Sequence, residues 1–146
     1  MSLNYTLSIA GAHSNDALLE KIQLAKGYSM TTNEIFAPGL RLRFSKPGPV
    51  DSQIIEEEFG FSPGVQIDFR VDKMSNPETV AMYLLRGCRA LLDQTPGDAV
   101  LLFNGETVIF LRQAGRLVLN PVEGFWVDAV KAEVIGPYRL APISNI

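Results

Sequence analysis

Three apolar runs separated by two short turns lie between residues 99 and 120. The runs are rich in Val, Ile, Leu and Phe, and the turns are Asn104-Gly105 and Ala114-Gly115. Asn-Gly between β-rich runs is a strong hairpin signal, because both central residues of a type I′ turn need a positive φ. The pattern therefore predicts an antiparallel β-meander in the C-terminal half of the chain.

Alternation of apolar and polar residues marks three further strands. It runs over residues 4–10, 40–44 and 64–72. A strand with one apolar and one polar face is typical of an antiparallel sheet. Residues 28–32 are a weaker strand candidate, and residues 53–59 fit a helical turn as well as a strand.

Apolar residues at helical spacing predict two main helices. The first covers about residues 15–26, with Ser14 at the N-cap and Gly27 just past its end. The second begins at Asn76-Pro77-Glu78, which supplies an N-cap, a proline at the first helical position and an acid in the first turn. It ends at Thr95-Pro96-Gly97.

The order of these elements predicts an α+β fold. We expect an antiparallel sheet with the two main helices packed on one face, which is a two-layer sandwich with a C-terminal β-meander. A short third helix is expected over residues 127–134, and Pro137-Tyr138 indicates an irregular or edge-strand tail. The chain has 146 residues, of which 47% are hydrophobic. We expect residues 1–146 to form a single domain with one sizeable core.

Charge and cysteine content narrow the classes of function. The net charge is −3 and the 13 basic residues are scattered, so we expect no nucleic-acid partner. No apolar run is long enough to span a bilayer, and no secretory leader is expected, so we expect no membrane partner. Cys88 is the only cysteine, which excludes an intramolecular disulfide and favours the cytoplasm.

Few residues offer catalytic chemistry. His13 is the only histidine, and Cys88 lies on the apolar face of the second helix, where it is expected to be a buried structural thiol. The glycines form no phosphate-binding loop. We therefore expect no cofactor, no metal and no enzymatic activity. The enzyme hypothesis rests only on carboxylates, namely Glu56–Glu58, Asp68 and Asp72.

The strongest charged feature is Glu56-Glu57-Glu58, which we call the acidic segment. It is either a solvated surface or a patch that attracts a basic protein partner. Phe61 beside it and Trp126, which follows a Pro/Gly-containing loop, are of the residue types found at interfaces. Phe61 suits a core equally, and the Phe125-Trp126 pair is more often found at the end of a small core. The three glutamates, Phe61 and Trp126 are the candidate partner-binding residues.

A small-molecule or regulatory binding module is the alternative. Arg41, Arg43, Asp68 and Arg70 occupy the polar faces of predicted strands and would line its pocket. Exposed sheet edges would also allow a homodimer or the addition of a partner strand.

Six stretches of the chain, taken together, carry a resemblance to a known family. They are Ile55-Glu-Glu-Glu-Phe-Gly-Phe61, Phe69-Arg-Val-Asp-Lys73, Pro96-Gly-Asp-Ala-Val-Leu-Leu-Phe-Asn-Gly-Glu106, Gly115-Arg-Leu-Val-Leu-Asn120, Gly124-Phe-Trp126 and Pro137-Tyr138. With these stretches the chain resembles, from Leu3 to Pro142, the Sit-type immunity proteins, the antidotes to swarming-inhibition toxins in bacterial kin discrimination. The resemblance implies a small intracellular protein that neutralises one cognate toxin by direct binding and occlusion, without catalysis, and it supplies no catalytic residues.

Overall fold

The computed structural model describes residues 3–93, 95–134 and 136–146. Within these ranges nine strands form one sheet. The strands are β1 Leu3–Ala10, β2 Ser29–Met30, β3 Ile35–Ala37, β4 Leu40–Ser45, β5 Pro63–Val71, β6 Ala99–Phe103, β7 Thr107–Gln113, β8 Arg116–Leu119 and β9 Tyr138–Leu140. Their order in the sheet is β2-β3-β4-β5-β1-β6-β7-β8-β9, so β1 is the central strand. All neighbours are antiparallel except β8 and β9, which are parallel.

Four helices are found in the described ranges: α1 Asn15–Gln23, α2 Pro49–Phe59, α3 Pro77–Leu92 and α4 Asp128–Lys131. The predicted caps of α1 and α3 are confirmed, because Ser14 Oγ accepts from the Ala17 amide at 3.1 Å and Asn76 Oδ1 accepts from the Thr79 amide at 3.1 Å. The α+β class is therefore confirmed.

The two faces of the sheet carry different layers. Apolar side chains on one face pack against α1, α3 and α4 in the main core, whose largest fully buried members include Leu7, Ile67, Phe69 and Leu84. On the other face Val100, Leu102 and Val108 form a smaller cluster with Ile55 and Phe59 of α2 and with Phe61. Because alternate residues of a strand point to opposite faces, α2 lies across the sheet from α1 and α3. It adds a partial third layer to the expected two-layer sandwich.

The β-meander is confirmed as β6, β7 and β8. Both predicted turns place two residues at positive φ: Asn104 at 50° and Gly105 at 72°, Ala114 at 51° and Gly115 at 77°. Gln113 pairs with Arg116, so the second turn is a two-residue hairpin loop. The first loop carries Glu106 as a third residue, because Phe103 pairs with Thr107.

Several predicted boundaries differ from those found. Helix α1 ends at Gln23 rather than near residue 26, because the amides of Leu24 and Ala25 bond to carbonyls only three residues back. The predicted strand over residues 28–32 shortens to β2, and residues 53–59 belong to helix α2. The third helix is found as α4, within the predicted residues 127–134.

One buried arginine ties the loop after α3 to the sheet. The Arg112 side chain of β7 lies on the helix-covered face and is only 9% exposed. Its Nε donates to the Gly97 carbonyl at 3.0 Å, its Nη1 donates to the Leu92 carbonyl at 3.4 Å, and its Nη2 donates to the Thr95 carbonyl. Burial lowers the pKa of Arg112, and the charge of Asp98 has a smaller effect that raises it.

Candidate partner-binding site

Helix α2 positions the acidic segment on the surface. Pro49 stands at the start of the helix, and Gly60 ends it in the left-handed conformation with a φ of 75°. Ile55 and Phe59, one turn apart, are 4% and 7% exposed and hold the helix against the sheet. Glu56, Glu57 and Glu58 lie between these two anchors and are exposed.

The acidic segment has no positive charge close to it on its own helix. Helix α2 contains four acidic residues and no Lys or Arg. The Ser62 hydroxyl donates to Glu56 Oε1, and Gln53 Nε2 donates to Glu57 Oε1 at 2.9 Å. The ion pairs found among the described residues involve none of these three carboxylates. The helix therefore presents a concentrated negative charge with no ion-pair partner among the described residues.

The two aromatic candidates lie below the surface rather than on it. Phe61 is 7% exposed and belongs to the cluster beneath α2. Trp126 is half-buried, donates from Nε1 to the Asn120 carbonyl at 2.7 Å and meets Phe125 edge-on with ring centroids 4.7 Å apart. Trp126 packs against the main core, across the sheet from α2. The structure thus brings Phe61 together with the acidic segment but does not bring Trp126 there.

Asn120 organises this region, and the sequence analysis gave it no role. Its Nδ2 donates to the Val108 carbonyl at 2.7 Å and to the Ile143 carbonyl at 3.2 Å, and its Oδ1 accepts from the Ile143 amide at 3.0 Å. These bonds hold Ile143 of the C-terminal tail against the cluster under α2. A buried amide is recognisable only once its partners are known, because Asn at the end of a strand is usually a turn residue.

The four residues predicted to line the pocket of a small-molecule binding module lie together on one face of the sheet. Arg41 and Arg43 of β4 and Asp68 and Arg70 of β5 lie on the sheet face that also carries α2. Arg41 is paired directly with Arg70, and Arg43 is paired with Asp68. Together with Asn4 they line an open groove of about 390 Å³.

Contacts within the fold hold the two side chains with nucleophilic or acid–base potential, those of His13 and Cys88. His13 Nε2 donates to the Ala10 carbonyl at 3.0 Å. Cys88 is 1% exposed, and burial raises the pKa of its thiol. In the described part of the chain, no group of three or more His, Cys, Asp or Glu side chains is placed to hold a metal ion.

Comparison with known proteins gives one match. The model of the family described as SitI3-like matches residues 3–129 of the 146. No curated protein and no solved structure matches the chain. Among the helices described, none has the length and apolar character needed to cross a membrane.

Proposed function

The chain belongs to the SitI3-like family, a Sit-type immunity protein family, and from this we propose that it neutralises one cognate toxin by direct binding and occlusion. The match over most of the chain is the observation that carries the proposal. The toxin would be one used in contact-dependent kin discrimination, and the encounter would take place in the cytoplasm. The protein would act through a complementary surface and not through catalysis.

Helix α2 is the surface that we propose for the toxin contact. Its three consecutive exposed carboxylates project from a helix that Ile55 and Phe59 fix to the sheet. Charges carried on a rigid element keep their geometry in the free protein, so little ordering entropy is lost on binding. Phe61 supports this surface from below and would contribute to its shape.

The chemistry of the proposed surface determines what it would cover. A negative patch attracts a positive one, as found on enzymes that bind anionic substrates. A toxin with a basic substrate-binding face would therefore be blocked where its substrate must enter. Exposed charges of this kind raise the association rate more than they slow dissociation.

Reversal of the acidic segment tests this proposal. The variant Glu56→Lys, Glu57→Lys, Glu58→Lys should reduce the association rate with the cognate toxin about 10- to 100-fold at low salt. It should also lose most of the salt dependence of that rate. Surface plasmon resonance at two salt concentrations measures both quantities.

The matched control reverses three other exposed acids. Glu20, Glu78 and Asp93 lie on α1, on α3 and just after α3, across the sheet from α2. Their replacement by Lys changes the net charge equally and should change the association rate much less. Equal effects of the two triple variants would show that only the net charge matters. Unchanged binding by the α2 variant would exclude α2 as the contact surface.

A further inference from the structure

Helix α2 covers only part of its sheet face. It packs over β6 and β7, on one side of the central strand β1, and the tail residue Ile143 joins it there. On the other side of β1, α2 contacts β5, to which residues 60–62 connect it, whereas Arg41, Arg43 and Arg70 are exposed. The area around these three arginines, which we call the recess, lies beside α2, and a helix is about 10 Å thick.

The recess carries positive charge that the fold does not neutralise. Arg41 and Arg70 are directly opposite on neighbouring strands, an arrangement that destabilises a sheet. Among the described residues, the ion pair formed here is Arg41 with Glu34 at 3.7 Å, and both side chains are more than half exposed. Asp68 accepts instead from Thr6 Oγ1 at 3.1 Å and from Gln66 Nε2 at 3.3 Å. The arginines are therefore available to an acidic occupant.

A helix with the required charge stands beside the recess on the same face. Helix α2 has the right thickness and carries four acidic residues with no basic one. It cannot enter its own recess, since Ile55 and Phe59 anchor it over β6 and β7. A second copy of the chain can supply it.

We propose that two copies of this chain form a face-to-face dimer in which each α2 occupies the recess of the other. The two copies are related by a two-fold axis that is parallel to the sheets and passes between β1 and β6. This axis places the α2 side of one copy over the recess side of the other, so the contact occurs twice in the dimer. In each half, the acidic segment of one copy meets Arg41, Arg43 and Arg70 of the other. The two α2 helices form a single layer between the two sheets.

The dimer is a property of the free protein and does not depend on the proposed toxin contact. Its interface is made of charged, exposed side chains, so we expect a reversible association that weakens as salt rises. Because the dimer covers the acidic segment, a toxin that binds α2 would have to separate the two copies. Dimerisation and toxin binding would then exclude each other.

Sedimentation equilibrium at low and high salt tests the dimer directly. At low salt the wild-type chain should change from monomer to dimer as its concentration rises, and at high salt it should remain mostly monomeric. The variant Glu57→Lys, Glu58→Lys should be monomeric at low salt. The variant Arg41→Glu, Arg43→Glu, Arg70→Glu should be monomeric as well.

Mixing the two variants distinguishes this interface from any other. In the mixture, the lysines on α2 of one variant face the glutamates in the recess of the other, and the acidic α2 of the second faces the arginines of the first. An equimolar mixture should therefore form a one-to-one heterodimer. The control Glu20→Lys, Lys26→Glu changes charges across the sheet and should leave the dimer intact.

Three results would overturn the proposal. The first is a wild-type chain that stays monomeric up to about 1 mM, a concentration at which even weak complexes form. The second is a dimer that persists in both charge-reversal variants, and the third is an equimolar mixture of the two variants that stays monomeric. A monomer that binds a polyglutamate peptide through the recess would assign that surface to an acidic protein segment instead. Because no toxin is present in these measurements, their failure leaves the toxin contact unaffected.

Discussion

Replacing Arg112 by Met should cost the fold a large part of its stability. The guanidinium is 9% exposed and donates to the carbonyls of Leu92, Thr95 and Gly97. Methionine fills much of the same volume and has no donor, so the Thr95 and Gly97 carbonyls lose this partner, whereas the Leu92 carbonyl still accepts from the Thr95 amide at 3.1 Å. The perturbation therefore removes hydrogen bonds without opening a large cavity.

The magnitude follows from the two carbonyl groups, those of Thr95 and Gly97, that lose their donor. An unsatisfied buried polar group costs about 1–3 kcal/mol. The methionine variant also avoids the desolvation of a buried positive charge, which offsets part of that cost. We therefore expect the free energy of unfolding to fall by about 2–4 kcal/mol, between a fifth and two fifths of the roughly 10 kcal/mol typical of a domain. The midpoint of thermal unfolding should fall by about 5–15 °C.

Urea unfolding followed by circular dichroism measures this loss. Arg112→Lys keeps the charge but has one nitrogen in place of three, so its stability should lie between those of the methionine variant and the wild type. Arg116→Met is the matched control, because Arg116 is exposed on β8 and should matter by less than about 0.5 kcal/mol. A methionine variant within about 0.5 kcal/mol of the wild type would refute the argument, since the loop carbonyls would then be satisfied without the guanidinium.

Three further predictions concern buried groups. In Gly87→Ala the new Cβ would lie 2.3 Å from Tyr28 Oη, which donates to the Tyr83 carbonyl at 2.6 Å, so we expect a loss of about 1–3 kcal/mol in urea unfolding. A second substitution, Tyr28→Phe, should cost less in that background than in the wild type, and additive losses would contradict the clash. Burial raises the pKa of Tyr5 to about 12, against about 10 in the unfolded chain. The neutral phenol therefore stabilises the fold fully below pH 10, and this contribution to the free energy of unfolding is lost as the pH rises from 10 to 12. Between pH 10 and 12, the free energy of unfolding measured in urea should fall less for Tyr5→Phe than for the wild type. An equal fall in the two proteins would contradict the burial argument. Iodoacetamide should label Cys88 only as the protein unfolds, because Cys88 is 1% exposed and burial raises the pKa of its thiol. Mass spectrometry measures the labelling rate. Labelling of the native protein at the rate of a free thiol would contradict this and show that α3 opens locally.

The longer strands and helices could be predicted because local signals agree with the tertiary structure there. In β5 the alternation of apolar and polar residues matches one buried and one open face. In α3, the Asn76 cap, the proline after it and the apolar face all favour the same helix. Gly87 lies within the buried face of α3, and the side chains that approach it are those of Tyr28 and Phe69.

The short elements could not be predicted from periodicity. Strands β2 and β3 have two and three residues, too few to show alternation. They exist because β4 provides a neighbour for β3, which in turn provides one for β2. Helix α2 was ambiguous because the apolar residues of the segment 53–59 fit two templates. Its helical state depends on contacts with Val100 and Leu102, which are about forty residues away in the chain.

The candidate site was predictable in its charges and not in its layout. Three consecutive glutamates are exposed in almost any fold, because burying them would require partners for each charge. That the recess lies beside α2 on the same face depends on strand order, which residue spacing does not reveal. The burial of Phe61 and the separation of Trp126 from α2 have the same origin.

Co-expression of this chain with its cognate toxin tests the central claim most directly. We predict that the wild-type chain restores growth of cells that produce the toxin, that the Glu20→Lys, Glu78→Lys, Asp93→Lys control protects equally, and that the Glu56→Lys, Glu57→Lys, Glu58→Lys variant protects much less at the same protein level. Failure of the wild-type chain to protect would contradict the immunity function. Full protection by the α2 variant would keep that function and place the contact elsewhere.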